Sequence, residues 1–403
     1  MCEIPDPGGT SIDDLFDIIE EIGKGGYGSV YKAREKETGS IYALKKINKF
    51  DDRQATPPSF FRETECLHEI AKSDAKGANN ILKLHKIIRC HQNNCFFLVL
   101  EMCDCDLGDI IKLYSSCEDD FDEHQTPNQI CPNLSFDQIK NYMVQILQGM
   151  TTLHDHGFVH RDIKPPNILI KNGTDIKICD FGLTRNLSKN RSRFCRPLTP
   201  HVATPSYRAP ELLLGSTKYD QSIDVWSVGC LLFEMATGKV LFHSRNSQSD
   251  FAQLNTIFRI CGTPHLDDSS LHHLPNAMLI SSMPNYEPIL EEVLDSTLPS
   301  FFEPMKQVLI EMLQLDPQKR ISLKDALLDP FFSGETEKII ERNQTFIKSG
   351  TFFNENRFIE DKIFPSKLEN NENNIQIKNR ATPRNIIDKL RPTKVTPPEI
   401  SIF

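Results

Sequence analysis

The sequence predicts an α+β protein in which strands dominate the first hundred residues and helices dominate the rest. Stretches rich in β-branched and aromatic residues at 30–33 and 41–45 favour strands, and 95–100 is a continuous apolar run typical of an inner strand. Apolar residues recur at helical spacing over 136–156, and a strongly apolar helix is predicted to begin at Asp224. The 403 residues suffice for one large two-lobed domain or two ordinary ones.

Composition is that of a globular protein, with 39% hydrophobic and 25% charged residues. The net charge of -9 argues against nucleic acid as the main partner, because phosphate backbones attract basic surfaces. No stretch approaches the roughly 18 apolar residues of a membrane span, and residues 1–17 lack the pattern of a secretory signal. The 12 cysteines, which lack paired C-x-x-C spacing around Cys103 and Cys105, therefore predict reduced thiols rather than zinc ligands. We expect the cytoplasm, the nucleus or both as the location, and no membrane partner.

Glycines recur just before the first predicted strands. Residues 22–30 are Ile-Gly-Lys-Gly-Gly-Tyr-Gly-Ser-Val, which contains the pattern G-x-G-x-x-G. A dinucleotide-binding domain opens a helix directly after this pattern, whereas Val30–Ala33 favours a strand. A turn at Thr38–Gly39 and the strand over 41–45 follow. Two strands joined by a glycine turn predict a flexible lid whose backbone N–H groups approach phosphates closely.

A helix is predicted to begin at Pro57-Pro58-Ser59, since proline is tolerated in a first helical turn, and to continue through Leu67. The polar, acidic segment 114–133 is typical of a surface insertion. The helix over 136–156 has six apolar residues on one face, which predicts core packing and no chemistry: Ile139, Met143, Ile146, Leu147, Met150 and Leu153.

The strongest chemical signal is the series His160-Arg161-Asp162-Ile163-Lys164-Pro165-Pro166-Asn167, followed by Cys179-Asp180-Phe181-Gly182. Ile168–Ile170 predicts a buried strand, and Asn172-Gly173 predicts a hairpin turn. The hairpin would bring Asn167 and Asp180 together, and an oxygen from each beside a phosphate chain suits Mg²⁺.

The same series leaves Asp162 to meet a substrate hydroxyl and Lys164 to neutralise charge on a transferred phosphoryl group. A loop of solvated charges is the alternative, and it is disfavoured because the whole series would hardly recur at this spacing by accident.

These motifs resemble the catalytic loop, H-R-D-x-K-x-x-N, and the metal-binding D-F-G of the eukaryotic protein kinases. Lysine two places after the aspartate is the serine/threonine form. The resemblance covers 16–332, is closest to the cyclin-dependent kinases, and identifies the chain as a divergent member of that proline-directed group. It implies an α+β, bilobal protein kinase fold with a small β-rich N-lobe with one regulatory helix, about 16–102, and a larger mainly helical C-lobe, about 103–332. Residues 1–15 are then a leader, and 333–403 are a polar tail expected to be largely disordered.

The resemblance implies ATP-dependent phosphorylation of serine or threonine in proteins, with ATP and Mg²⁺ as cofactors and ATP and protein substrates as partners. Lys45 and Glu63 would set the nucleotide, Asp162 would accept the substrate's proton, and Lys164 would offset charge. Asn167 and Asp180 would hold Mg²⁺. The nucleotide-binding positions it implies are Ile22, Gly23, Lys24, Gly25, Gly26, Tyr27, Gly28, Val30, Ala43, Lys45, Glu101, Cys103, Asp106, Asn167 and Leu169.

Two of these positions have a second interpretation. Asp106 would reach the ribose, but a carboxylate that starts a helix is an equally good account. Tyr27 matches a tyrosine whose phosphorylation inhibits ATP use, and its companion threonine is Gly26 here, so only half of that control would exist.

Regulation is implied at Thr199, which aligns with the activating phosphothreonine of the cyclin-dependent kinases. Arg62, Arg161 and Arg185 match the arginines of the pocket that binds this phosphate, whose charge is about -1.5 to -2. An exposed Thr-Pro loop site is the alternative. Arg208 matches the arginine that holds a strained backbone carbonyl at the position of Ala203, and the N–H that follows a target serine or threonine then lacks a partner. Because proline has no N–H to leave unsatisfied, this predicts Ser/Thr-Pro substrates.

The segment Pro57–Glu63 stands where these kinases carry P-S-T-A-I-R-E; the first proline, Arg62 and Glu63 are kept. A cyclin-type subunit is therefore a candidate partner, with a mitogen-activated-like or cyclin-independent kinase as the alternative.

A cyclin-binding pseudokinase scaffold would have lost a catalytic residue, and none is lost. A small-molecule phosphotransferase would lack Ala209-Pro210-Glu211. The resemblance further gives scaffold roles to Asp224, beneath the catalytic loop, and to a Glu211–Arg320 pair.

Overall fold

The structure, a computed structural model, describes residues 11–25, 28–48, 56–90, 95–115, 134–188, 204–244, 249–264, 270–298 and 302–333. All of them lie in one compact unit, Met1–Asn343. Thr199, Gly26, Tyr27 and Ala203 lie outside the described residues, as do nearly all of the predicted insertion and tail. The predicted domain boundaries stay predictions.

A five-stranded antiparallel sheet forms the N-lobe, in the order β1-β2-β3-β5-β4. Its strands are β1 (Phe16–Gly25), β2 (Gly28–Glu35), β3 (Ile41–Asn48), β4 (Leu84–Cys90) and β5 (Cys95–Glu101). Every residue of β5 is buried, as its continuous apolar sequence predicts. The turn before β3 contains Gly39 at φ 72°, a conformation that glycine adopts without strain.

Two helices flank this sheet. Helix α1 (Ile12–Leu15) has a capping box between Ser11 and Asp14, and its Ile12 is buried with Phe16 against the outer face of the sheet. Helix α2 (Pro58–Ile70) begins at the predicted prolines and packs its apolar face, including Leu67, into the main core. Part of the predicted leader is thus folded onto the N-lobe.

The C-lobe is mainly helical. Its strands are β6 (Cys105–Asp106), β7 (Phe158–Val159), β8 (Ile168–Lys171), β9 (Asp175–Ile178) and β10 (Arg185–Asn186). Its helices are α3 (Leu107–Ser115), α4 (Phe136–Asp155), α5 (Pro210–Leu213), α6 (Ser222–Thr237), α7 (Asp250–Cys261), α8 (Met278–Ser281), α9 (Leu290–Thr297), α10 (Glu303–Met312), α11 (Leu323–Leu328) and α12 (Pro330–Ser333). Among the helices in the described ranges, none has the length and apolar character needed to cross a bilayer.

Two helices carry the C-lobe core. Helix α4 begins with a capping box between Ser135 and Gln138, and all six predicted core residues on its apolar face are buried. Helix α6 is buried from Ile223 to Thr237 and ends at Gly238, φ 69°. A bidentate pair between Arg320 and Glu211, both contacts 2.7 Å, closes the lower part of the lobe. The predicted α+β bilobal class is therefore confirmed.

Candidate active site

The hairpin of β8 and β9 holds Asn167 and Asp180 at neighbouring ends, as its sequence predicts. Ile168 pairs with Ile178, and the N–H of Cys179 donates to the carbonyl of Asn167 at 3.0 Å. The turn forms because Asn172 and Gly173 both adopt positive φ, 54° and 71°, which is the geometry that a two-residue Asn-Gly turn requires.

Asp224 fixes the backbone that leads into the predicted catalytic loop. Its Oδ2 accepts the N–H of His160 at 2.8 Å, its Oδ1 accepts the N–H of Arg161 at 2.8 Å, and His154 Nε2 lies 2.9 Å from Oδ2. Burial alone would raise the pKa of Asp224, but the hydrogen bond and charge of His154 outweigh it, so the pKa is lowered. This ionised carboxylate holds Arg161 at φ 73°, an unusual conformation for a side chain of that size.

Asp162 lies where the chemistry is predicted, with both carboxylate oxygens engaged. Oδ2 lies 2.8 Å from Lys164 Nζ and 3.1 Å from Asn167 Nδ2. Oδ1 accepts the N–H of Thr204 at 3.1 Å and its hydroxyl at 3.3 Å. Lys164 Nζ also donates to Thr204 Oγ1 at 3.0 Å. Asp162, Lys164 and Asn167 are therefore together, and Thr204 completes the cluster.

A second cluster joins the two lobes. Lys45 Nζ, from β3, lies 2.7 and 2.9 Å from the two carboxylate oxygens of Glu63 in α2, and 3.3 Å from Asp180 Oδ1. Burial opposes the charged form of Lys45, but the two carboxylates outweigh it and raise its pKa. Burial raises the pKa of Glu63, and Lys45 acts against that effect. The bidentate contact between the two supports an ionised pair.

The segment after β9 aims Asp180 at this cluster. Asp180 adopts the left-handed conformation, φ 61° and ψ 69°, while Phe181 is fully buried with its ring 5.1 Å from the ring of His160. Burial would raise the pKa of Asp180, but Lys45 and His160 lower it overall. An ionised carboxylate next to a buried aromatic anchor is suited to hold a cation in a fixed position.

The predicted adenine positions lie on strands of both lobes and on the segment that joins them. Ala43 pairs with Leu100 across β3 and β5, Val30 pairs with Lys45, and Leu169 packs from β8. Cys103 is buried, and burial raises the pKa of its thiol to about 12. Ile22 is 44% exposed on β1.

Asp106 acts as a helix cap. Its Oδ1 accepts the N–H of Asp109 at 2.9 Å at the start of α3, as the second of its two interpretations predicts. Burial raises the pKa of this carboxyl.

The glycine lid is described on both of its sides. Gly23, Lys24 and Gly25 end β1, and Gly28 begins β2, so the pattern opens a strand and not a helix. A side chain at Gly28, φ 150°, would place Cβ only 1.8 Å from the carbonyl oxygen of Lys46. Only glycine fits there, which keeps the lid close to β3.

Two of the three predicted regulatory arginines, Arg62 and Arg161, donate to neighbouring carbonyls in the segment that follows Phe181. Arg62 Nη1 donates to the carbonyl of Gly182 at 3.1 Å, and Arg161 Nε donates to the carbonyl of Leu183 at 2.6 Å. Burial lowers the pKa of Arg161, and the nearby charge of Arg185 adds to this effect. Arg185 Nε is buried and has no hydrogen-bond partner among the described residues.

Several partners of the site residues were not predicted. Tyr219 OH accepts from Arg161 Nη1 at 2.8 Å, His154 supports Asp224, and Asp250 pairs with Arg208 at 2.9 Å. Each partner is distant in sequence and has no local motif. Only the histidine could have been found, because His154 lies in the helix that leads to the loop.

Comparison with known proteins identifies the family and agrees with the fold. The family model of the protein kinase domain matches residues 16–332. Cyclin-dependent kinases B2-1 and B2-2 of Arabidopsis thaliana are each 33% identical, over 330 and 333 residues, which is 82% of this chain and 97% and 96% of theirs. A solved structure of the yeast RNA Pol II CTD kinase CTDK-1 complex is similar with a TM-score of 0.64 and 31% identity, covering 79% of this chain and 93% of that one. The chain therefore belongs to the protein kinase family, as a serine/threonine kinase of the cyclin-dependent type that uses ATP.

Proposed function

We propose that this kinase transfers the γ-phosphoryl group of ATP to Ser-Pro and Thr-Pro sites, requires Mg²⁺, and is switched on by phosphorylation of Thr199. The observation that carries the proposal is the geometry of the site: Lys45 contacts Glu63 and Asp180, and Asn167 contacts Asp162. Ionised groups fixed in place before substrate binds lower a barrier that is mainly electrostatic.

The residues at the hairpin ends fit a magnesium ion. Asp180 offers a carboxylate that is 38% exposed, and the amide nitrogen of Asn167 donates to Asp162, which leaves the amide oxygen as the atom able to ligate a metal. Mg²⁺ prefers such oxygen ligands together with substrate phosphates. When bound, it would neutralise charge on the phosphates.

The protein's own groups would then act in two places. Lys45, held by Glu63, would contact the α- and β-phosphates, while the lid from Gly23 to Gly28 would cover them. Asp162 would orient the substrate hydroxyl and accept its proton at a carboxylate oxygen, and Lys164 would offset charge on the moving group. Thr204 restrains Asp162 Oδ1, so one carboxylate oxygen is oriented before substrate arrives.

The proposed switch is supported by the arginines. Arg161 and Arg185 repel each other in a buried setting, and the unpaired Nε of Arg185 is a donor that lacks an acceptor among the described residues. Arg62 adds a third guanidinium from α2. A phosphate on Thr199 would supply oxygens to all three and tie α2 to the catalytic loop.

A cyclin-type subunit is supported by the face of α2. Phe61 is 57% exposed, although its neighbour Phe60 is buried and stacks on Phe96 with ring centroids 4.7 Å apart. A large exposed aromatic residue on the helix that carries Glu63 favours a protein partner. The similarity to a kinase solved as a complex supports the same proposal.

Peptide phosphorylation tests the proposal. The purified chain, alone and with candidate cyclins, is assayed on matched Ser-Pro and Ser-Ala peptides with Mg²⁺ or with EDTA. We expect transfer only with Mg²⁺ and mainly to Ser-Pro. Equal rates on the two peptides would refute the proline preference, and undiminished transfer in EDTA would refute the metal requirement.

The switch needs its own comparison. Thr199→Ala should lower activity, and so should Arg185→Ala in the wild-type background. Arg185→Ala should add little to the effect of Thr199→Ala, because both changes remove the same interaction between the phosphate and the arginine. Unchanged activity of Thr199→Ala would contradict the switch.

A further inference from the structure

The side chain of Glu101, at the end of β5, is buried in a set of contacts that the proposed mechanism does not use. Its Oε1 accepts the backbone N–H of Lys83 at 2.8 Å, and its Oε2 lies 2.9 Å from Lys171 Nζ. Lys177 Nζ lies 3.6 Å from Oε1. The N–H of Glu101 also donates to the carbonyl of Lys83 at 3.0 Å, and the residue is only 7% exposed.

These contacts join two parts of the nucleotide site. Lys171 ends β8 and Lys177 lies in β9, so both lysines belong to the hairpin whose strands begin after Asn167 and end before Asp180. Glu101 belongs to the N-lobe strand whose end carries the predicted adenine contacts. One carboxylate therefore connects the adenine end of the site with the element that holds its metal ligands.

The charges favour this connection. Burial alone would raise the pKa of Glu101, but the hydrogen bond from Lys171 and the charge of Lys177 outweigh it, so the pKa is lowered. The hydrogen bond that Lys171 donates to Glu101 in turn raises the pKa of Lys171. Both groups are ionised at neutral pH, and charge-assisted hydrogen bonds are about twice as strong as neutral ones.

We propose that Glu101 and Lys171 form an ionic latch that sets the affinity of the kinase for adenine nucleotides by fixing the end of β5 against the β8–β9 hairpin. The proposal rests on the proposed nucleotide site. A nucleotide must reach the backbone at Glu101 and Cys103 with its base and the hairpin ends with its phosphates. Holding the two elements at one spacing reduces the ordering that binding would otherwise require.

The latch makes Glu101 a positioning residue whose loss has a particular kinetic signature. Weakening it should raise KM for ATP and the dissociation constant of ADP. The turnover number at saturating ATP should change little, because Thr204 holds Asp162 and Lys164 through hydrogen bonds that involve neither Glu101 nor Lys171.

Glu101→Gln, Lys171→Met and the double variant test the latch. Each single change should raise KM for ATP and the dissociation constant of ADP by about five- to tenfold, with kcat within about twofold of wild type. The double variant should resemble the single ones, since contacting partners are not additive. Glu35→Gln is the matched control, because Glu35 is 6% exposed and pairs with Lys86 at 2.5 Å within the N-lobe alone. It should leave both constants within about twofold.

The latch is overturned if both single variants keep wild-type nucleotide affinity, if their effects add, or if Glu35→Gln causes an equal rise. A tenfold fall in kcat with unchanged KM would also overturn it. ADP binding is measured without phosphoryl transfer, so this measurement tests the latch and the proposed nucleotide site separately. Unchanged affinity in the variants refutes the latch alone, whereas a wild-type protein that binds no ADP refutes the nucleotide site and the latch with it.

Discussion

Lys45 Nζ lies within 2.9 Å of both carboxylate oxygens of Glu63, and this pair ties helix α2 to the sheet. The side chains are 15% and 4% exposed, so solvent screens the pair only weakly. The position of α2 is therefore linked to the position of the lysine that would meet the nucleotide phosphates. Movement of α2 would disconnect that lysine.

Lys45→Met should lower kcat/KM for the peptide by about 10² to 10³, which is the usual effect of removing one electrostatic contact to a transition state. The reason is the lost contact to phosphate, and Glu63 would remain buried without its partner. Steady-state kinetics check it, with Lys46→Met, the next residue in β3, as the control. A kcat/KM within tenfold of wild type would contradict the role of Lys45.

Asp162→Asn should lower kcat by about 10² to 10⁴, the span expected for a general base. The amide keeps the size of the side chain and loses the proton-accepting charge. The dissociation constant of ADP should stay within about twofold, because no nucleotide contact is assigned to Asp162. Single-turnover phosphorylation measures the first effect. Retained kcat would contradict proton acceptance by this residue.

Thr204→Val should lower kcat by about tenfold without changing nucleotide affinity. The substitution removes the hydroxyl that binds both Asp162 Oδ1 and Lys164 Nζ, so the carboxylate loses part of its orientation. Thr204→Ser, which retains the hydroxyl, should restore most of the rate. Failure of the serine variant to do so would assign the loss to packing of the methyl group.

Asp224→Asn should destabilise the protein by about 1 to 3 kcal/mol at neutral pH, since the amide leaves buried N–H donors unsatisfied. The pKa of Asp224 is lowered in the folded state, so its contribution is present above the unfolded value near 4 and is lost as the pH falls through the folded value. The difference in free energy of unfolding between wild type and variant should therefore shrink as the pH falls below about 4. Urea unfolding at several pH values measures it, with exposed Asp175→Asn as the control. A difference that grows towards acid would contradict the assignment.

Arg320→Met should cost about 3 to 5 kcal/mol of stability, because it leaves Glu211 as an uncompensated buried charge. The double variant Glu211→Met with Arg320→Met should be less destabilised than the single one, because no orphaned charge remains. Trp226, the only tryptophan, lies with its ring 5.1 Å from the Arg320 guanidinium, so its fluorescence reports the transition. A double variant worse than Arg320→Met would contradict this account.

The residues that carry the chemistry of the site could be predicted because they lie in short contiguous sequence motifs. Asn172-Gly173 specifies its turn by itself, and the turn brings Asn167 and Asp180 together without information from the rest of the chain. The role of Asp106 could not be predicted from sequence, because a carboxylate at a helix start suits both a cap and a ribose contact. The structure shows the cap hydrogen bond from the N–H of Asp109.

Long-range partners could not be predicted. Thr204 lies 42 residues from Asp162, and Tyr219 lies 58 residues from Arg161. Lys171 is 70 residues from Glu101. Neither periodicity nor local propensity encodes which exposed-looking polar residue the tertiary fold will bring to a site. The regulatory role of Thr199 and the cytoplasmic or nuclear location stay predictions.

Helix α1 has a practical consequence for anyone who shortens this protein. The stretch matched by the family begins at Phe16, yet Ile12 is buried beside Phe16 on the outer face of the sheet. A truncated version that starts at the family boundary would expose an apolar surface on the outer face of the sheet and would be prone to aggregate. Expression work should retain the polypeptide from Ser11 onward.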